Sequence, residues 1–127
     1  MDGMNNKETN TMTLQHELGQ FCGTMEYHRY SRKLVLTDGA RYLAERAGCF
    51  WLVSIVDSIL PQVRNESFLS VRMIKNPNAS AIVEITDGNE KPIFRQAIEF
   101  TDFPMNEIQL FVQESDQFWV MMLTTEY

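Results

Sequence analysis

The side chains that bind transition metals through nitrogen or sulfur are few and widely spaced in this chain. Its two histidines and two cysteines are His16, His28, Cys22 and Cys49. Structural zinc sites usually hold their ligands in close pairs, about two to four residues apart, and no such pair occurs here. The spacing therefore predicts no metal site, and no motif indicates a cofactor.

Cys49 is the candidate nucleophile. If the chain opened at Gly48, the thiol would lie at a helix N-terminus, which lowers a thiol pKa, and a base such as His28 would have to reach it. The apolar run Phe50-Trp51-Leu52 follows directly, which favours an inert core cysteine. We therefore predict no catalytic residue, and the sequence leans against an enzyme.

One segment combines basic and aromatic side chains. Such a combination can hold phosphates and stack bases, so a nucleotide or single-stranded nucleic acid is a candidate ligand. The candidate contacts are Tyr27, His28, Arg29, Tyr30, Arg32 and Lys33. The alternative is a solvated loop that leads into the apolar Leu34-Val35-Leu36.

Carboxylates occur in two groups, and acid and base catalysis would need two of them in different environments of one cleft. The groups are Glu84, Asp87 and Glu90, and then Asp102, Glu107, Glu114 and Asp116. Most fall on predicted turns or solvent faces, so a solvated surface is favoured. Asp38 and Asp102 each follow a threonine at a structural transition, which favours capping over catalysis.

The composition describes one acidic domain. A chain of 127 residues fits a single domain, which we place at 13–127, and 44% apolar residues supply its core. With 11 basic and 17 acidic residues the net charge is −6, which disfavours binding to duplex nucleic acid. A small acidic protein can instead occupy the basic groove of a nucleic-acid enzyme.

Neither a signal peptide nor a membrane span is indicated. The first 13 residues are polar, and no apolar run reaches the roughly 20 residues that cross a bilayer. We expect a cytoplasmic protein with reduced cysteines and no membrane partner.

Helical spacing marks the N-terminal half after a frayed segment, 1–12. Leu14, Leu18 and Phe21 predict a short helix over about 13–21. Thr37-Asp38-Gly39 predicts the start of a second, longer helix, because threonine accepts amide hydrogens of the first turn and Asp38 favours the positive dipole end. Gly48 would bend this helix, and Pro61 ends it.

Alternating apolar residues mark the C-terminal half. They predict strands near 69–73, 81–86, 94–100, 108–112 and 118–124, joined by turns rich in Asn, Asp and Gly. The predicted fold is α+β, with N-terminal helices packed on one face of a C-terminal antiparallel meander of four to five strands.

The last strand is apolar on both faces, which is typical of a strand that is covered twice or that meets a partner. From this pattern we predict an interaction surface on the outer face of the sheet, made by Phe111, Trp119 and Met121.

Two blocks of sequence carry a resemblance to a known family. The first is Leu34–Glu45 with Ala47–Leu52, and it contains Thr-Asp-Gly; the second is Phe100–Pro104 with Glu107–Phe111 and Leu123–Tyr127, and it contains Thr-Asp-Phe-Pro. With these words the chain resembles a family of small bacterial and mobile-element domains of unknown function. The resemblance implies one recurring domain over roughly the last hundred residues and carries no activity or site residue.

Three functions remain open. The first is a protein-binding module with a regulatory role, whose partner is another protein or a second copy of the chain. The second is an acidic mobile-element inhibitor that mimics nucleic acid. The third is a small nucleotide-binding protein or enzyme that uses the Tyr27–Lys33 segment.

Overall fold

Three helices precede most of the sheet. The computed structural model describes residues 13–127; the predicted frayed segment, 1–12, lies outside this range. Helix α1 covers residues 13–18, α2 spans Asp38–Arg46 and α3 spans Phe50–Ile59. A 3-10 turn, Leu60–Gln62, places Pro61 directly after α3. No helix in this part of the chain is long and apolar enough to cross a membrane.

The predicted start of α2 is confirmed in atomic detail. The hydroxyl oxygen of Thr37 accepts a hydrogen bond from the amide of Ala40 at 3.2 Å, as an N-cap residue does. At Gly48 the backbone takes a positive φ of 64°, which glycine adopts without steric cost. The predicted bend is therefore a complete break that separates α2 from α3.

Seven strands form one mixed sheet. They are β1 Tyr27–Arg29, β2 Leu34–Thr37, β3 Phe68–Lys75, β4 Ala81–Asp87, β5 Pro92–Ile98, β6 Glu107–Ser115 and β7 Phe118–Leu123. Their order is β1-β2-β7-β6-β3-β4-β5, and every neighbouring pair is antiparallel except β2 and β7, which are parallel.

The predicted simple meander is corrected in two respects. The five C-terminal strands are present, but β6 pairs with β3 instead of β5. In addition, β1 and β2 come from the N-terminal half, where a loop was the alternative for part of the segment, and β2 pairs in parallel with β7, so the sheet is mixed and not wholly antiparallel. The apolar character of these strands explains their positions in the sheet. β7 is apolar on both faces and lies between two strands, whereas the more exposed β5 lies at an edge.

The main core lies between the helices and one face of the sheet. Leu52 and Val56 of α3 are fully buried in the same cluster as Val83 and Leu110. Alternation then directs the intervening residues of each strand to the opposite face, on which no helix of the described chain packs. We call this opposite side the outer face.

Candidate functional site

The predicted surface of Phe111, Trp119 and Met121 is wrong. Trp119 is 6% exposed and Met121 is 1% exposed, and both belong to the core beneath the helices. Phe111 is paired with Met122, so its side chain shares the outer face with Met122, whereas Met121 and Trp119 lie on the opposite face. Strand register thus divides the three residues between the two faces of the sheet.

The apolar part of the outer face is filled by the chain itself. Val35, Val120 and Met122 are buried in a small cluster against which Phe111 packs. The ring of Phe111 also lies 5.1 Å from that of Phe68, between centroids. Phe111 is therefore half-buried by its own chain, and it borders a neighbouring depression together with Phe68.

A polar depression of about 520 Å³ lies beside this cluster on strands β3, β4 and β6. Two of the charged side chains in its lining have partners. The guanidinium of Arg72 donates to the Glu107 carboxylate, at 3.1 Å from Nε, and this hydrogen bond raises the pKa of Arg72. Arg95 Nη1 lies 3.7 Å from Oε2 of Glu84, which also lines the depression. Asp87 and Glu90 also line the depression and have no ion pair within the described chain, so its lining keeps an excess of negative charge.

The side chains of the basic segment do not converge on one phosphate site. Arg29 donates to the main-chain carbonyls of Ser31 and Arg32, at 2.9 and 3.2 Å. Tyr30 stacks on Phe50, with ring centroids 6.3 Å apart and planes 9° apart. Tyr27 is exposed on β1, and Lys33 lines a different depression, with Arg64 and Glu114. The nucleotide hypothesis therefore gains no support from this geometry.

His28 instead takes part in a network that ties β1 to α2. Arg41 Nη1 lies 2.8 Å from His28 Nδ1, and since a guanidinium only donates, Nδ1 must accept. The other ring nitrogen, Nε2, then donates to Asp38 Oδ1 at 2.7 Å. Asp38 Oδ2 also accepts from the amide of Met25, at 2.9 Å. The bond from His28 is the main reason that the pKa of Asp38 lies below its ordinary value.

Glu26, His28 and Asp38 form the one group of metal-ligand type found in the described chain, with ligand atoms within 4.8 Å of one another. Sequence reasoning missed it, because the three residues are joined only by the packing of β1 on α2. Ligating histidines normally give their second nitrogen to a carboxylate or carbonyl, whereas here a guanidinium occupies it. The arrangement suits a structural anchor better than a metal site.

The two cysteines differ sharply in exposure. Cys49 is 1% exposed, and burial raises the pKa of its thiol to about 12, so it holds almost no nucleophilic thiolate near neutral pH. Cys22 is exposed. This placement agrees with the expectation of an inert core cysteine at position 49.

An open, largely apolar cavity lies at the other end of the sheet, between α3 and the edge strand β5. It has a volume of about 540 Å³ and is called the edge groove below. Its lining consists of Gly48, Trp51, Ile55, Gln96, Ile98, Phe100, Thr101 and Asp102. Phe100 is 71% exposed, an unusual degree of exposure for so large an apolar side chain.

The backbone beside this groove is unpaired on one side. β5 ends the sheet, so every second residue directs its N–H and C=O away from β4. The chain bends at Glu99, and one backbone contact continues beyond the bend, where the amide of Thr101 donates to the carbonyl of Ala79 at 2.8 Å. Pro92 and Arg95 protect the first half of the strand, as is common at sheet edges, while the second half borders the groove.

Sequence reasoning identified some parts of this site and missed their combination. Gln96 interrupts the apolar face of β5, and Asp102 is predicted to cap the transition that follows this strand. Trp51 belongs to the apolar run that follows Cys49, and in the structure it is only half-buried. A polar residue on an otherwise apolar strand face is the one local signal of an uncovered position.

Comparison with known proteins supports the fold and adds no activity. A model of the family of unknown function DUF6876 matches residues 12–127, and the chain therefore belongs to that family. No curated protein matches the sequence. Among solved structures, a protein of unknown function from Enterococcus faecalis is similar, with 14% identity and a TM-score of 0.51, over 78% of this chain and 98% of that one. At this identity the likeness concerns the fold alone.

Proposed function

We propose that this member of the family is a regulatory protein-binding module that adds an extended segment of another polypeptide to the free edge of β5. The observation that carries the proposal is the edge groove, an apolar cavity of about 540 Å³ that borders the unpaired backbone of an edge strand. Strand addition uses both features: main-chain hydrogen bonds supply affinity, and pockets for alternate side chains supply specificity.

The side chains of the groove suit such a segment. Residues of an added strand alternate between the two sheet faces, so every second one would lie over the groove. There it would meet Trp51 and Ile55 on α3 and the exposed ring of Phe100. Large aromatic residues in a partly desolvated cleft are the usual anchors of protein interfaces.

Binding without catalysis is favoured by the state of the reactive groups in the described chain. Cys49 is buried, and both ring nitrogens of His28 are engaged by Asp38 and Arg41. No group of this kind lines the edge groove.

The test is a selection from a random library of displayed 12-residue peptides against the intact protein. Amide hydrogen exchange with a selected peptide bound is expected to slow for residues 93–101. Phe100→Ala is expected to weaken binding at least about tenfold, as loss of an interface anchor does. The matched control is Tyr127→Ala on the outer face, since Tyr127 is 70% exposed, and it is expected to leave affinity unchanged. Failure to enrich any peptide, or protection confined to other strands, would overturn the proposal.

A further inference from the structure

The charge of the edge groove narrows the kind of segment that it fits. Asp102 is the one charged side chain in its lining. Its carboxylate is exposed, and no hydrogen bond or ion pair engages it within the described part of the chain. No basic side chain lines the groove to balance it, and the whole chain carries a net charge of −6.

We infer that the segment bound at the edge groove is basic, with an apolar residue and a lysine or arginine two positions apart. This inference rests on the proposed function. In an added strand, residues two apart point to the same face and stand about 6.6 Å from each other. An apolar side chain opposite Ile98 would contact Trp51 and Ile55, and the next residue on that face, toward Phe100, would reach the carboxylate of Asp102.

A second copy of the chain is a poorer occupant of the same edge. β5 spans Pro92–Ile98, so two antiparallel copies paired about the centre of the strand would place Arg95 directly opposite Arg95. Like charges at directly opposed positions destabilise strand pairing. A basic segment also avoids this clash if it extends only along the half of β5 that borders the groove.

The test uses synthetic versions of one selected peptide with Lys, Gln or Glu at the position next to Asp102. The lysine peptide is expected to bind about two- to fivefold more tightly than the glutamine peptide, the range of an exposed ion pair, and the glutamate peptide more weakly than both. The preference should shrink as salt rises from 50 to 500 mM. It should also disappear in Asp102→Asn, which retains the size of the side chain.

Glu99→Gln is the matched control, because Glu99 is exposed in the same segment but does not line the groove. It is expected to keep the lysine preference. Equal affinity of the three peptides, with slowed exchange in β5, would overturn the basic preference and leave strand addition standing. A preference for glutamate, or one that persists in Asp102→Asn, would also overturn it. Absence of binding by every peptide would remove both proposals.

Discussion

The carboxylate of Glu126 caps the start of α2 from the far end of the chain: its Oε2 accepts a hydrogen bond from the amide of Gly39 at 3.0 Å. Its Oε1 accepts from the hydroxyl of Thr37 at 2.6 Å and from the amide of Leu123 at 2.9 Å. The contact joins the Thr-Asp-Gly segment to the terminal Thr-Thr-Glu-Tyr segment. Each residue of Thr-Asp-Gly has its own structural role. Thr37 caps the helix, Asp38 accepts from His28, and Gly39 leaves space for Glu126.

Replacement of Gly39 by alanine is expected to destabilise the fold. A Cβ at this position would lie 2.6 Å from both Glu126 Oε1 and Leu123 Cδ1, so the cap or the core must shift. Overpacking of this kind costs about 1–3 kcal/mol of unfolding free energy, which urea denaturation measures. Gly23→Ala is the control, because nothing lies within 4 Å of a Cβ built there. Equal unfolding midpoints for the two variants would refute the steric role of Gly39.

Asp38 is expected to make the protein sensitive to acid. Because the folded state lowers the pKa of Asp38, chiefly through the bond from His28, its contribution to stability is complete above the ordinary pKa of 3.8. That contribution is lost as the pH falls through the lower pKa of the folded state. Urea midpoints between pH 7 and pH 2 should therefore fall more steeply in the wild type than in Asp38→Asn. Equal slopes for the wild type and Asp38→Asn would refute this role of Asp38.

Alanine substitutions at Trp119 and Phe100 are expected to change the free energy of unfolding by very different amounts, because Trp119 lies in the core and Phe100 on the surface. Trp119→Ala removes a buried indole from the main cluster and should cost about 3–5 kcal/mol of unfolding free energy. Phe100→Ala removes a side chain that is 71% exposed and should change stability by less than about 0.5 kcal/mol. Thermal denaturation followed by circular dichroism measures both. A stable Trp119→Ala protein would contradict the strand register described above.

The two thiols are expected to react at very different rates. A disulfide reagent at pH 8 should modify Cys22 in the native protein and reach Cys49 only after unfolding, because the Cys49 thiol is buried and its pKa is raised to about 12. The amount of thiolate that the reagent releases, measured first in native buffer and then in urea, gives the number of cysteines modified at each stage. Cys22→Ser should abolish the native stage and leave the second. Rapid native modification of Cys49 would show that the start of α3 opens readily.

Residue patterns along the sequence were sufficient to define most of the elements. The change of period at Pro61 separates the helices from the five C-terminal strands, and the three residues Thr37-Asp38-Gly39 predict the cap at Thr37. Both are local signals, since a cap and an alternating strand involve residues only a few positions apart. The short strands β1 and β2 are not predicted, because three or four residues are too few to establish an alternation.

Strand order and the placement of the site were decided only by the tertiary structure. An alternating pattern indicates that a strand has a buried face, but it does not indicate which strands lie beside it. In β7 both faces are apolar, so the pattern does not show which face packs under the helices. Pairing of Phe111 with Met122 buried Trp119 beneath the helices and removed the predicted surface. The return of the chain to β3 then left β5 at the sheet edge, where Phe100 and Trp51 line a groove that residues more than forty positions apart form together.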